Sequence, residues 1–112
     1  MDTKRQPPTE SRLAELFELY QNKYKNRHFD VIICSDNDAF QFLLNNRDRL
    51  FSDSPVVFCG VNFFEDKMLA GQKGFTGVVE AFDLPSVLSL MLKLHPTTEQ
   101  IVIVNDQTTT GK

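Results

Sequence analysis

Hydrophobic positions along the chain switch between helical spacing and short unbroken runs. Near the N-terminus, five apolar or aromatic residues recur at a spacing of three or four, which places them on one face of a helix. They are Leu13, Leu16, Phe17, Tyr20 and Tyr24. Thr9 precedes this face and is a candidate N-cap, because a threonine oxygen can accept a hydrogen bond from the first turn. The pattern therefore predicts a first helix that begins shortly after Pro7-Pro8.

A strand and a second helix are predicted next. Residues 31–34 are apolar without polar alternation, which is typical of a strand covered on both faces. Residues 39–51 return to helical spacing, and the sequence Ser-Asp-Ser-Pro that follows ends the helix. The predicted inward side chains are Phe40, Leu43, Leu44 and Leu50, and the predicted outward ones are Asn45, Arg47, Asp48 and Arg49.

The rest of the chain continues the alternation of strands and helices. The predicted elements are a strand over 56–59, a helical turn ended by Gly71 and Gly74, a weak strand over 75–80, a well-buried helix capped by Asp83 and ended by Pro96, and a strand over 101–104. Strands that alternate with helices favour parallel pairing through right-handed crossovers. The expected fold class is α/β, with a parallel sheet and helices on both faces.

Composition narrows the class of protein. The 112 residues suffice for one modest core, and the net charge of -3 argues against an electrostatic hold on nucleic acid or an anionic membrane. The N-terminal segment lacks the apolar stretch of a signal peptide, so the chain itself is expected to be soluble without one. Cys34 and Cys59 lie inside apolar runs and are predicted to be buried free thiols.

Polar or small residues follow three of the predicted strands. In open parallel sheets, ligands bind beyond the carboxyl ends of the strands, so these residues are candidates for one ligand site. The candidates are Ser35, Asp36 and Asn37 after the first strand, Gly60, Val61 and Asn62 after the second, and Asp106, Thr108, Thr109 and Thr110 after the last.

Structural roles compete with ligand binding at several of these positions. Ser35 or Asn37 can cap the second helix, and Asp38 suits its first turn. Gly60 can serve a tight turn alone, and the threonine run can be a solvated tail. Glu80 is interpreted as a linker acid.

Catalytic motifs are absent from the sequence. It contains no nucleophile elbow, no GxGxxG and no phosphate-binding loop. His28 and His95 are interpreted as ordinary boundary histidines, and Asp36 with Asp38 fall short of the oxygen ligands that a hard cation needs. We therefore expect no enzymatic activity, no cofactor and no metal.

Several segments together resemble a known family. They are "MDTKR", "DVIICSDNDAFQFLLNNRDRLF", "SPVVFCGVNFF", "GFTGVVEAFDLPSVLSLMLKLHP" and "QIVIVNDQTTTGK". In order and spacing they are similar to the ABC-transporter substrate-binding-like sensor domains in the extracytoplasmic part of bacterial histidine kinases and diguanylate cyclases. The combination is fairly specific, and no single segment is.

The resemblance implies a type I periplasmic-binding-protein fold, in which two lobes close on a small ligand. Residues 1–79 would be part of the first lobe, and 80–112 the crossover and the start of the second. Family members extend beyond both ends, so the chain resembles a fragment. The implied partners are a small-molecule ligand, an output kinase or cyclase domain in the same full-length chain or a membrane permease, and a second copy in a homodimer. The implied location is periplasmic or otherwise extracytoplasmic.

The resemblance also implies that the first two candidate segments contact ligand from the first lobe and that Thr108, Thr109 and Thr110 face them from the second. A response-regulator receiver domain is the alternative, with Asp36 or Asp106 as phosphoacceptor. Against it, no acidic pair follows an early strand and no lysine follows a late one. A small flavodoxin-like enzyme is a third interpretation, without a nucleophile–base pair to support it.

Overall fold

A computed structural model of the chain describes residue 5 and residues 7–52, 54–81 and 83–104. The elements in chain order are α1 (Glu10–Tyr24), β1 (Ile32–Ser35), α2 (Asn37–Phe51), β2 (Val56–Val61), a short 3-10 helix (Asp66–Leu69), β3 (Phe75–Val79) and α3 (Leu84–Leu94). They form two compact units, Met1–Glu80 and Ala81–Lys112. No helix of the described residues is both long and apolar enough to cross a bilayer.

The first unit contains a three-stranded sheet in the order β1-β2-β3, and both pairings are parallel. Ile32 pairs with Val56, and Val56 pairs in turn with Phe75. Parallel neighbours cannot be joined by a tight hairpin, and α2 is the crossover from β1 to β2. The predicted α/β class and parallel sheet are confirmed.

The core lies between α2 and one face of the sheet. Phe40 of α2 stacks at a tilt against Phe58 of β2, with ring centroids 4.8 Å apart. The buried cluster consists of Cys34, Phe40, Leu43, Val56, Phe58 and Val61. Because side chains alternate between the faces of a strand, Val56 and Phe58 of β2 enter this core and Val57 between them does not. The irregular pairing between Phe58 and Val61 brings Val61 into the core as well.

The opposite face of the sheet is exposed, which corrects the expectation of strands covered on both faces. Ile33 is 75% exposed and Val78 is 71% exposed. An unbroken apolar run is typical of a strand covered on both faces, but the run itself does not determine whether a second layer of helices packs on the sheet.

The first helix packs on α2 through its predicted face. Tyr20 meets Phe42 edge-on at 5.9 Å between ring centroids, and Tyr24 contacts both Phe29 and Phe51. The helix begins after Thr9 as predicted, although the Thr9 hydroxyl lies near that of Ser11 instead of binding a backbone N–H.

One prediction for α2 is wrong, because Arg47 is buried and not outward. Its Nη1 donates to the Lys73 carbonyl at 2.7 Å, and its guanidinium lies 5.0 Å from the centre of the Phe75 ring. Burial of a charged group is tolerated where hydrogen bonds replace the lost water. Arg47 thereby fixes the loop that leads into β3. Phe42, which the sequence left unassigned, is also buried.

The second unit holds α3, whose cap was predicted correctly. The Asp83 carboxylate accepts hydrogen bonds from the Ser86 hydroxyl at 2.6 Å and the Ser86 N–H at 3.1 Å, and both interactions lower the pKa of Asp83.

Two other predictions for this unit are wrong. The helix is not well buried, since Val87 and Leu90 are 57% and 58% exposed, and residues 101–104 do not form a strand. A strand is stable only where a neighbour accepts its hydrogen bonds, and the described sheet contains β1, β2 and β3.

Candidate functional site

The turn between β1 and α2 is built around Asp36. Its Oδ1 accepts a hydrogen bond from the Asn37 N–H at 2.7 Å, and its own N–H donates to the Cys59 carbonyl at 3.1 Å. The cap residue of α2 is therefore Asp36, and not Ser35 or Asn37 as predicted. Asp36 has a φ of 80° and a ψ of 153°, a combination that is essentially confined to glycine and costs about 1–3 kcal/mol of backbone strain. Asp38 lies in the first turn, as expected.

A reciprocal pair of hydrogen bonds joins the ends of β1 and β2. The Asn37 side chain donates through Nδ2 to the Asn62 carbonyl at 3.0 Å, and its Oδ1 accepts from the Asn62 N–H at 2.9 Å. One carboxamide thus satisfies both backbone groups of a residue 25 positions away. The pair holds the two predicted segments together at the carboxyl edge of the sheet.

Gly60 of β2 lies at the same edge, between Asp36 after β1 and Glu80 after β3. Its φ of 63° is left-handed, and a Cβ placed on it would lie 3.6 Å from the Asp36 nitrogen and 3.9 Å from Glu80 Oε1. The positive φ favours glycine here, whereas both distances would be ordinary van der Waals contacts for a Cβ. The Glu80 N–H donates to the Val61 carbonyl at 3.4 Å, which continues the pairing of β2 with β3.

Of the ten predicted site residues, six are described. Asp36, Asn37, Gly60 and Asn62 meet at the carboxyl edge. The Val61 side chain is only 1% exposed and packs in the core, so only its backbone reaches the edge. Ser35, the last residue of β1, also lines a groove along that strand. The other four, Asp106, Thr108, Thr109 and Thr110, lie outside the described residues.

Glu80 is the residue that sequence reasoning missed at this edge. It directly follows β3 just as Asp36 follows β1. The rule that ligands bind beyond the carboxyl ends of parallel strands applied to it equally. The interpretation as a linker acid overlooked that position.

The edge combines acidic side chains with one helix N-terminus. Asp36, Asp38 and Glu80 each carry a carboxyl group, whereas the N-terminus of α2 contributes about half a positive charge. Among the described residues, no three acidic, histidine or cysteine side chains form a group that could hold a metal ion. The edge thus offers separate oxygen acceptors along a rim, which suits hydroxyl or ammonium donors better than an anion.

The two cysteines lie on neighbouring strands, and only one is buried. Cys34 belongs to the core, whereas Cys59 is exposed, which corrects the prediction of two buried thiols. The Cys59 thiol lies 3.7 Å from the Cys34 carbonyl oxygen. Burial, with a smaller contribution from Cys59, raises the pKa of Cys34 to about 11.

A groove of about 420 Å³ runs between α1 and the free edge of β1. Tyr20 and Tyr24 form its aromatic wall and Ile33 and Ser35 lie on the strand side. It is separate in character from the carboxyl edge, since its walls are mainly apolar.

Comparisons of the chain with models of protein families, with curated proteins and with solved structures found no match.

Proposed function

We propose that the chain is a ligand-binding module without catalytic activity, which holds a small polar molecule at the carboxyl edge of its sheet. The observation that carries this proposal is the reciprocal hydrogen bonding of Asn37 and Asn62. It draws two strand ends together and leaves the side chain of Asn62 without a hydrogen bond within the described residues. The second oxygen of Asp36 and the carboxylate of Glu80 complete the rim.

The chemistry of the rim defines the ligand class. Its acceptors outnumber its donors, so a ligand that offers hydroxyl or ammonium hydrogens is favoured over a bare anion. Amino acids and small polyols satisfy this requirement.

The wider role that we propose is sensing or solute capture outside the cytoplasm. It rests on the sequence resemblance, which associates such a module with a kinase or cyclase output domain or with a permease. Ligand binding would act by favouring one of two arrangements of a lobed protein, because a ligand shifts an equilibrium by its difference in affinity for the two states. A receiver-like phosphoacceptor role has less support, since Asp36 Oδ1 already accepts a hydrogen bond from the backbone.

A binding screen tests the proposal. Amino acids and polyols are added to the chain, stabilisation is followed by thermal shift, and hits are measured by calorimetry. Asp36→Asn keeps an oxygen for the helix cap but removes the charge, and Glu80→Gln does the same at β3. Each should weaken binding about fivefold, the difference between a charge-assisted and a neutral hydrogen bond.

The matched control is Asp66→Asn, which removes an exposed acid from the 3-10 helix and should leave affinity unchanged. Equal affinity in both edge variants would refute the site. If none of the amino acids and polyols in the screen binds saturably, the proposed function is refuted. Incubation with acetyl phosphate is the companion assay, and a mass gain of one phosphoryl group would favour the receiver instead.

A further inference from the structure

A second concave site lies at the end of the first unit opposite to the carboxyl edge. The last turn of α1, the connection to β1 and the last turn of α2 border a cavity of about 550 Å³ that opens to solvent. Its polar lining residues are Gln21, Asn22, Lys25, Asn26, Arg27, His28, Arg49 and Ser52. Since α2 starts at the carboxyl edge and ends here, the two sites are separated by the length of that helix.

Charge distinguishes this cavity, which we call the basic cavity, from the rest of an acidic chain. Lys25, Arg27 and Arg49 line it, and none of the described lining residues is acidic. Two helix C-termini add about one negative charge in total, against three positive side chains. The cavity therefore keeps an excess of about two positive charges, although the net charge of the chain is -3.

Capping of the helix ends does not account for these cations. Within the described residues, the side chains of Lys25, Arg27 and His28 make no hydrogen bond and no ion pair. Arg27 contributes only its backbone N–H to the end of α1, through the Tyr24 carbonyl at 2.9 Å. Arg49 stacks over the Phe17 ring at 4.2 Å, which orients its guanidinium without using its N–H donors.

We propose that the basic cavity binds a compact polyanion, a ligand that carries several phosphate or carboxylate groups. Guanidinium groups suit such ligands because their paired N–H donors match two oxygens at once. The amide side chains of Asn22 and Asn26 supply further donors around the same space. This site is independent of the ligand proposed for the carboxyl edge.

Nuclear magnetic resonance of the isotope-labelled chain, titrated with tripolyphosphate at low ionic strength, tests the site. The expected result is saturable shift changes in the amides of 21–28 and 49–52, with the amides of 36–38 and 60–62 unchanged. The double variant Lys25→Gln, Arg27→Gln should weaken binding about tenfold. The matched control is Arg12→Gln, because Arg12 lies near the start of α1, about 20 Å along the helix from Lys25.

Three outcomes would overturn the proposal. They are an absence of saturation, shifts scattered over all cationic residues, and equal affinity in the double variant and the wild type. Flotation with vesicles that contain phosphatidic acid identifies the source of the polyanion. Flotation that the double variant loses indicates a lipid headgroup, and tripolyphosphate binding without flotation indicates a soluble ligand.

Discussion

Replacement of Asn37 by alanine tests the contact on which the carboxyl edge depends. The substitution removes both hydrogen bonds to Asn62, whose N–H and carbonyl then lie in a half-buried turn without their partner. Each intramolecular hydrogen bond contributes about 1 kcal/mol, so the free energy of unfolding should fall by about 2 kcal/mol. At about 4 °C per kcal/mol for a chain of this size, the melting temperature should fall by about 8 °C.

Urea denaturation followed by circular dichroism measures this change, with the m-value as a check that the unfolding transition is otherwise the same. Asn45→Ala is the matched control, because Asn45 is exposed on the same helix and alanine there should stabilise it slightly. The free energy of unfolding of Asn37→Asp should lie between those of Asn37→Ala and the wild type, because the aspartate oxygen still accepts from the Asn62 N–H while the donor to the Asn62 carbonyl is lost. A loss below about 0.5 kcal/mol in Asn37→Ala would refute the reasoning, because one ordinary hydrogen bond already contributes that much.

Three further predictions follow from the packing of the sheet. Gly77→Ala should destabilise the chain by about 3 kcal/mol in urea denaturation, because its Cβ would overlap the carbonyl oxygen of Phe58 and lie 2.6 Å from that ring; an unchanged midpoint would contradict the register of β2 and β3. Arg47→Met should lower the free energy of unfolding by about 2 kcal/mol, the contribution of a hydrogen bond from a charged donor, and a neutral effect would show that the buried guanidinium does not anchor the loop before β3. In the native chain, Cys59 should react with Ellman's reagent quickly and Cys34 only upon unfolding. Because folding raises the pKa of Cys34 from 9.0 to about 11, the unfolded thiol ionises first, and the free energy of unfolding should decline between those two pH values. The contribution of Cys34 to this decline should disappear in Cys34→Ala.

Local spacing was enough to predict the elements of the first unit. The apolar face of α1 and the parallel strands follow from periodicity and from the alternation of element types. The spacing predicted α2 from residue 39, and the helix begins two residues earlier, at Asn37. These features depend on neighbours in sequence, which the sequence displays directly. The cap at Asp83 was predicted for the same reason, because Ser86, which donates its N–H to the Asp83 carboxylate, is only three residues away.

The errors concern residues whose environment is set by distant parts of the chain. Arg47 was predicted to face outward because it is charged. It pairs with the adjacent Asp48, but the contacts that bury it are 26 and 28 residues away, at Lys73 and Phe75. The apolar run at 101–104 has the composition of a strand, but strand formation depends on a neighbour that composition does not specify. Exposure of Ile33 has the same origin, since a run of apolar residues cannot show which face receives a covering layer.

The candidate site shows the same division. The strand ends were identified from the sequence, because their polar residues interrupt apolar runs. The reciprocal hydrogen bonding of Asn37 with Asn62 could not be predicted, since it depends on the register of β1 and β2. Glu80 reaches the edge only because β3 is the outer neighbour of β2.

The central claim is that the polar ends of parallel strands meet at one edge of the sheet. The most direct test is a measurement of nuclear Overhauser effects on the isotope-labelled chain. We predict contacts between the side-chain amide protons of Asn37 and the backbone amide of Asn62, together with the backbone pattern of parallel strands around Cys34 and Phe58. Close contacts between α-protons of β1 and β2, the mark of antiparallel pairing, or the absence of the Asn37–Asn62 contact would contradict the account.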